Sequence, residues 1–149
     1  KDGHHIRTSG TTSTLSSSNT PVHGYFITVN NSPYDWRSPQ NISLWQGVSG
    51  TNNPCPPDWR IPTEAEWNAE LQSWSNLNSA GAFASPLKLP LAGYRFNSTG
   101  TLYTVDTYGL YWSSNVDETN SSAVSFNNSN ASIYSNRRAS GFSVRCVKN

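Results

Sequence analysis

Few residues of this 149-residue chain have side chains that could catalyse a reaction or hold a metal ion. The three histidines are His4, His5 and His23, and all lie in or beside a polar N-terminal part, so a Ser–His–Asp set has no histidine elsewhere in the chain. His4 and His5 lack further clustered ligands, so we expect them to be solvated. We therefore expect no enzymatic activity, no catalytic residue, no metal ion and no cofactor.

The acidic residues do not form a recognisable catalytic or calcium-binding pattern. Glu64, Glu66 and Glu70 fall on one predicted helix, whereas a glycosidase needs two carboxylates that face each other across a cleft. Residues 115–120 are the only local cluster with several oxygen ligands of the kind that calcium prefers. This cluster lacks the Glu-Pro-Asn and Trp-Asn-Asp signatures of sugar-binding lectins, so we assign no calcium site.

The chain has two cysteines, Cys55 and Cys146, and each lies in a segment that also contains an arginine. The simplest interpretation is a disulfide between a mid-chain turn and the last strand; two buried thiols are the alternative. The bridge would close a loop of about ninety residues and contribute roughly 4 to 5 kcal/mol in the chain-entropy model. It would also place the protein in an oxidising compartment. We expect Arg60 and Arg145 to be structural, with carboxylate or carbonyl oxygens as partners.

The composition favours an exported or surface-displayed domain. Only 13% of residues are charged and the net charge is +1, so nucleic-acid and membrane-surface binding lose their main electrostatic driving force. Apolar runs such as residues 87–92 are too short to span a bilayer, so we expect no membrane insertion. No secretory signal peptide is visible, and we expect a fragment or a mature form. The expected location is extracellular, on a cell surface or on a virion.

Residues 1–21 are polar and aperiodic, which predicts a linker or tail, or a segment ordered by a neighbouring subunit. This N-terminal region is also our candidate for the contacts of a homotrimer. Gly24–Val29 is rich in aromatic and β-branched residues and ends at a turn, so it predicts the first strand. We therefore place one domain at residues 22–149.

The clearest predicted helix begins after Thr63, where Thr63 and Glu66 have the spacing of a capping box. Trp67, Leu71 and Trp74 recur at helical spacing and define one apolar face, so we assign them to the core. From Pro90 onward the pattern changes to short β segments separated by turns. The predicted class is α+β.

Four blocks of this sequence, in the same order, resemble the major paralogous domain of Fibrobacter succinogenes. They are Cys55–Trp67, Leu91–Arg95, Tyr111–Ser114 and Gly141–Val147. The resemblance covers about residues 24–149. It implies a C-type-lectin-like fold: a small twisted antiparallel sheet whose first and last strands lie together, one or two helices, and a long irregular ligand-binding region. The domain is also similar to the variable target proteins of diversity-generating retroelements.

The resemblance directs attention to residues 110–140, where apolar anchors alternate with Asn, Ser, Asp, Thr and Tyr. Adenine-directed mutagenesis of Asn codons would leave such residue types. Strand alternation predicts that Val124 and Phe126 point inward and that Ser125 points outward. The expected ligand-binding residues are Leu110, Asn115, Asp117, Ser122, Ala123, Ser125, Tyr134, Asn136, Arg137 and Ser140. Tyr134 and Arg137 are the expected energetic anchors, since aromatic and guanidinium groups dominate hot spots.

These observations favour a receptor-binding or adhesin domain at the end of a phage fibre or on a bacterial surface protein. Its partner would be a protein or glycan on a target cell. The alternative is a structural domain of a surface or virion assembly whose polar segment is merely exposed.

Overall fold

The computed structural model describes residues 10–149, which contain two short helices and four small sheets joined by long irregular segments. The helices are α1 (Glu64–Ser73) and α2 (Ser79–Ala84). The strands are β1 (Thr11–Thr12), β2 (Phe26–Ile27), β3 (Trp59–Arg60), β4 (Tyr94–Arg95), β5 (Leu102–Tyr103), β6 (Gly109–Asp117), β7 (Asn120–Phe126), β8 (Ala131–Asn136) and β9 (Val147–Lys148). The mixed α+β class is confirmed.

The start of α1 has the predicted capping box. The Thr63 hydroxyl accepts a hydrogen bond from the Glu66 amide at 3.2 Å, and the Glu66 carboxylate accepts one from the Thr63 amide at 2.8 Å. Each bond satisfies an amide that the first helical turn leaves without an intrahelical partner. The apolar face is also confirmed, because Trp67, Leu71 and Trp74 are all buried.

The main core lies between α1 and the three-stranded antiparallel sheet β6–β7–β8. Val124 and Phe126 of β7 point toward the helix and are fully buried, as predicted. The Phe126 ring packs edge-on against Trp74, at 5.6 Å between centroids, and stacks on Tyr111 at 6.0 Å. This packing fixes the sheet against the C-terminal end of α1.

The other face of the same sheet is also covered. Trp112 stacks on Phe142 at 4.3 Å between ring centroids, and the Ser143 carbonyl accepts a hydrogen bond from the Trp112 amide. The segment that follows β8 therefore returns across the sheet. As a result, the middle of β6 and β7 is shielded from solvent on both faces.

The disulfide between Cys55 and Cys146 is present, with 5.8 Å between the Cα atoms. It lies next to the antiparallel pair of β3 and β9, where Arg60 faces Val147 in register. Arg60 forms two hydrogen bonds to the Glu66 carboxylate, so its structural role is confirmed. Arg145 is exposed and has no carboxylate or carbonyl partner among residues 10–149, so the same expectation for Arg145 is wrong.

The N-terminal segment differs from the predicted tail as far as it is described. Strand β1 pairs in parallel with β2, and the Ser16 amide donates to the Trp36 carbonyl at 3.0 Å. Residues 10–20 are thus hydrogen-bonded to the domain, while residues 1–9, with His4 and His5, lie outside the described residues. The first predicted strand is present as β2, but its partner is β1, and the last strand, β9, pairs with β3. No helix in residues 10–149 is both long and apolar enough to cross a membrane.

Candidate functional site

A polar depression of about 330 Å³ lies where the start of α1 meets the ends of β6, β7 and β8. We call it the distal cleft. Its lining residues are Glu64, Asn115, Val116, Asp117, Ser122, Ile133, Tyr134 and Ser135. One helix and three strands thus contribute to a single surface, and four of the predicted ligand-binding residues lie in it: Asn115, Asp117, Ser122 and Tyr134.

A register shift in β6 brings Asn115 into the cleft. The pairing of β6 with β7 is interrupted between Trp112 and Val116, and such irregularities re-aim side chains. The Asn115 side-chain oxygen accepts a hydrogen bond at 2.7 Å from the amide of Glu64, the first residue of α1. This bond ties the strand to the positive end of the helix and so defines one wall of the cleft.

The tight connection between β6 and β7 places Asp117 at the rim. Asp117 pairs with Asn120, so only Glu118 and Thr119 form the turn, and Glu118 has a positive φ of 51°. The pairing of Asp117 with Asn120 at this two-residue turn fixes the backbone position of Asp117. The Asp117 carboxylate is exposed and has no hydrogen-bond partner among the described residues.

The second carboxylate of the cleft is held by a serine. The Ser122 hydroxyl donates to Glu64 Oε2 at 2.6 Å, while Oε1 has no partner in the described part of the chain. No Lys, Arg or His is among the lining residues. The distal cleft therefore offers carboxylate acceptors with no cation in its lining, an arrangement suited to hydroxyl, amide or ammonium donors.

The remaining predicted residues divide by exposure. Ser125 is half-buried in the middle of β7, and Arg137 is exposed, with its guanidinium 3.9 Å from the centroid of the Tyr34 ring. Tyr134 is half-buried, and its ring lies on the face of Ala123, opposite to that of Ser122. Burial raises the pKa of Tyr134 to about 12, although the amide of Asn136, itself half-buried, donates to its hydroxyl at 3.2 Å.

Four expected surface residues are buried, and the expectation that they are displayed is wrong. The exposed fractions are 4% for Leu110, 5% for Ser122, 0% for Ala123 and 7% for Ser140. Alternation predicts outward-facing residues only where one face of the sheet is open, but Trp112, the partner of Ala123, is covered by Phe142. The Ser140 hydroxyl donates to the Asn136 side chain at 3.2 Å, so it belongs to the returning segment.

Sequence reasoning missed four residues of the distal cleft: the polar residues Glu64 and Ser135 and the apolar residues Val116 and Ile133. No local pattern predicts the role of Glu64, because its contacts with Asn115 and Ser122 join residues more than fifty positions apart. Ser135 is exposed and pairs with Ser122, so it shares the sheet face of Ile133. The register between β7 and β8 places Ser135 beside Ser122. Alternation within one strand does not predict that register.

Comparisons of the chain with protein-family models, with curated proteins and with solved structures found no match. Within residues 10–149, no three His, Cys, Asp or Glu side chains are grouped in a way that could hold a metal ion. The function must therefore be argued from the geometry and from the chemistry of the distal cleft.

Proposed function

We propose that this chain is a ligand-recognition domain with a C-type-lectin-like fold, resembling the Fibrobacter major paralogous domain. Its binding surface is the distal cleft together with the adjoining end of β8. In this proposal the domain is carried by a phage fibre or a bacterial surface protein, and it binds a protein or glycan on a target cell. The disulfide supports an oxidising, extracellular setting.

The observation that carries the proposal is the convergence of separate elements on one cleft. Asn115 and Asp117 come from β6, Ser135 comes from β8, and Glu64 comes from α1. These side chains are held by a rigid ladder and a capped helix, and they leave carboxylate oxygens unpaired in the described structure. A surface with a rigid backbone, whose polar groups still lack hydrogen-bond partners, is suited to binding a ligand.

The chemistry of the distal cleft favours a particular class of ligand. Two carboxylates and no cation line it, so an anionic group would be repelled, while hydroxyl-rich or ammonium-bearing groups would find acceptors. Neutral or amino sugars and basic peptide segments carry such donors. We therefore expect a neutral or cationic ligand in the distal cleft.

Sequence variation is the finer part of the proposal. The anchors Trp112, Val124 and Phe126 are buried, while Asn115, Asp117 and Arg137 are exposed, so changes at the exposed positions would leave the anchors undisturbed. A reverse transcriptase gene near the coding sequence, with an Asn-rich template repeat that matches its end, would support diversification by a retroelement.

The second candidate is a structural domain of a surface or virion assembly. The burial of Leu110, Ser122, Ala123 and Ser140 favours it, because much of the segment expected to be displayed is packed inside the domain. The exposed apolar residues of β5, Leu102 and Tyr103, could also contact a neighbouring subunit. The two candidates differ in whether the distal cleft binds anything.

The proposal can be tested by measuring the binding of the purified, fluorescently labelled chain to an array. The array carries neutral, amino and acidic oligosaccharides and basic, neutral and acidic peptides. We expect binding to neutral or basic members, and a loss of about tenfold or more in the double variant Glu64→Gln, Asp117→Asn. The matched control is Asp106→Asn, which removes an exposed carboxylate outside the cleft. Binding of neutral or basic members that the double variant leaves unchanged, or binding of acidic members that the double variant alters, would contradict the proposal.

A further inference from the structure

A second depression, of about 590 Å³, lies beside the disulfide and the β3–β9 pair. We call it the basic groove. Its lining residues are Pro56, Trp59, Leu87, Arg145, Cys146, Val147 and Lys148. None of these residues lines the distal cleft, so the two depressions are separate surfaces of the domain.

Trp59 gives the basic groove an exposed aromatic surface. Its exposed fraction is 39%, the highest of the six tryptophans, whereas Trp67, Trp74 and Trp112 are buried. Exposure of a large indole leaves apolar area in water that a partner would cover. Pro56 and Leu87 add further apolar surface to the same lining.

Two cations border the indole without a carboxylate partner. Lys148 is the cross-strand partner of Trp59, and both are exposed; Arg145 is exposed as well. Elsewhere in the described chain, Arg60 pairs with Glu66 at 2.7 Å and Arg138 with Asp35 at 3.2 Å. No ion pair joins Arg145 or Lys148 to an acidic group of residues 10–149, and no Asp or Glu lines the basic groove.

From this combination we propose that the basic groove docks an acidic segment of a partner protein, with an apolar side chain seated on Trp59. The two cations would meet the carboxylates of the segment, and the indole, Pro56 and Leu87 would cover its apolar anchor. Trp and Arg are the residue types that most often carry binding energy in protein interfaces.

The lining argues for a peptide over an acidic sugar. Sugar hydroxyls need hydrogen-bonding side chains around them, and the basic groove has no Asn, Gln, Ser, Thr, Asp or Glu among its lining residues. A lining that combines aliphatic and aromatic side chains with two cations matches an acidic peptide with one Leu-like anchor. The proposal does not depend on what the distal cleft binds.

The test uses ¹⁵N-labelled protein titrated with the peptide acetyl-Asp-Glu-Leu-Glu-Asp-amide and followed by NMR. We expect the indole N–H signal of Trp59 and the amide signals of residues 145–148 to shift in a saturable way, with a Kd of about 1 mM or tighter. The variant Arg145→Glu, Lys148→Glu should weaken binding at least about tenfold. The control variant Asn68→Glu, which places a negative charge at an exposed position of α1 outside both depressions, should bind as the wild type does.

Several results would overturn the proposal. One is the absence of a saturable shift in the wild type, and another is an equal shift with acetyl-Lys-Lys-Leu-Lys-Lys-amide. Tighter binding of tetragalacturonate than of the acidic peptide would assign the basic groove to an acidic glycan. Self-association in sedimentation experiments that Lys148→Glu abolishes would assign it to a second copy of this chain. If the double charge variant does not fold, the Trp59→Ala variant takes its place. Weaker peptide binding by Trp59→Ala than by the wild type would support the proposal, and equal binding would overturn it.

Discussion

At the scale of single residues, the contact between Arg60 and Glu66 links two elements of the fold. The guanidinium donates two hydrogen bonds of 2.7 Å to the carboxylate, and the same carboxylate accepts the Thr63 amide. The hydrogen bonds from Arg60 are the main reason that the pKa of Glu66 falls to about 2. Strand β3 is thereby joined to the start of α1.

This shift predicts how acid affects stability. Because the pKa of Glu66 is lowered from 4.5 to about 2 on folding, its contribution is present above pH 4.5 and is lost as the pH falls toward 2. The Glu66 side chain is 41% exposed, so after solvent screening we expect only about 1 kcal/mol. Urea unfolding of the wild type and Glu66→Gln should differ by this amount at pH 6 and converge near pH 2.

Asp106→Asn is the control for this series, since that exposed carboxylate has no hydrogen-bond or ion-pair partner among the described residues. Its stability should follow that of the wild type at every pH. A difference between the wild type and Glu66→Gln that is constant from pH 6 to pH 2 would show that the ion pair contributes nothing to stability.

Residue-level predictions succeeded where the partners are close in sequence. The capping box of Thr63 and Glu66 spans three positions, and its spacing alone predicts both hydrogen bonds. The contacts of Glu64 with Asn115 and Ser122 depend on how α1 docks on β6 and β7, which no local pattern specifies. The distal cleft was therefore found only in part.

At the scale of elements, the packing of β6 against β7 leaves no room for a side chain at Gly109. Gly109 is the register partner of Phe126, and a Cβ atom at this position would overlap the Phe126 ring. We expect Gly109→Ala to displace that ring from Trp74 and Tyr111 and to lower the free energy of unfolding by about 1–3 kcal/mol. Urea unfolding followed by tryptophan fluorescence measures the change.

Ser132→Ala is the matched control, because Ser132 is exposed on the neighbouring strand β8. It should alter the free energy of unfolding by less than about 0.5 kcal/mol. If Gly109→Ala is as stable as the wild type, the Phe126 ring does not pack against Gly109 as described.

The elements also show the limit of periodicity as a guide. The apolar stripe of α1 predicts its buried face, and alternation predicts the inward direction of Val124 and Phe126. The burial of Leu110 and Ala123 arises because the segment around Phe142 folds back over the second face of the sheet. That return is a tertiary contact, and alternation within a strand gives no sign of it.

At the scale of the whole molecule, the disulfide joins residues 91 positions apart. Closing a loop of this size contributes about 4 kcal/mol in the chain-entropy model, which corresponds to roughly 10 °C in melting temperature for a domain of this length. We expect Cys146→Ser to melt lower by that amount in calorimetry. Dithiothreitol should lower the melting temperature of the wild type and leave that of the variant unchanged.

Two free thiols, found by alkylation and mass spectrometry in protein purified from an oxidising compartment, would contradict the disulfide. The pairing itself could be predicted from the sequence, since the chain has only two cysteines. The neighbouring pairing of β3 with β9 could not, because two-residue strands carry no period.

The central claim is that the distal cleft and the adjoining end of β8 form a surface for recognition rather than a packed interior. The most direct test is a library displayed on yeast and treated with protease. It is randomised at the exposed residues Asn115, Asp117, Ser135 and Arg137. We expect most variants to stay protease-resistant, and selection against an immobilised protein to yield binders.

A parallel library at Leu110, Ala123, Val124 and Ser140 should be largely degraded. Equal loss of protease resistance in the two libraries, or no binders from the first, would contradict the claim and favour a structural domain.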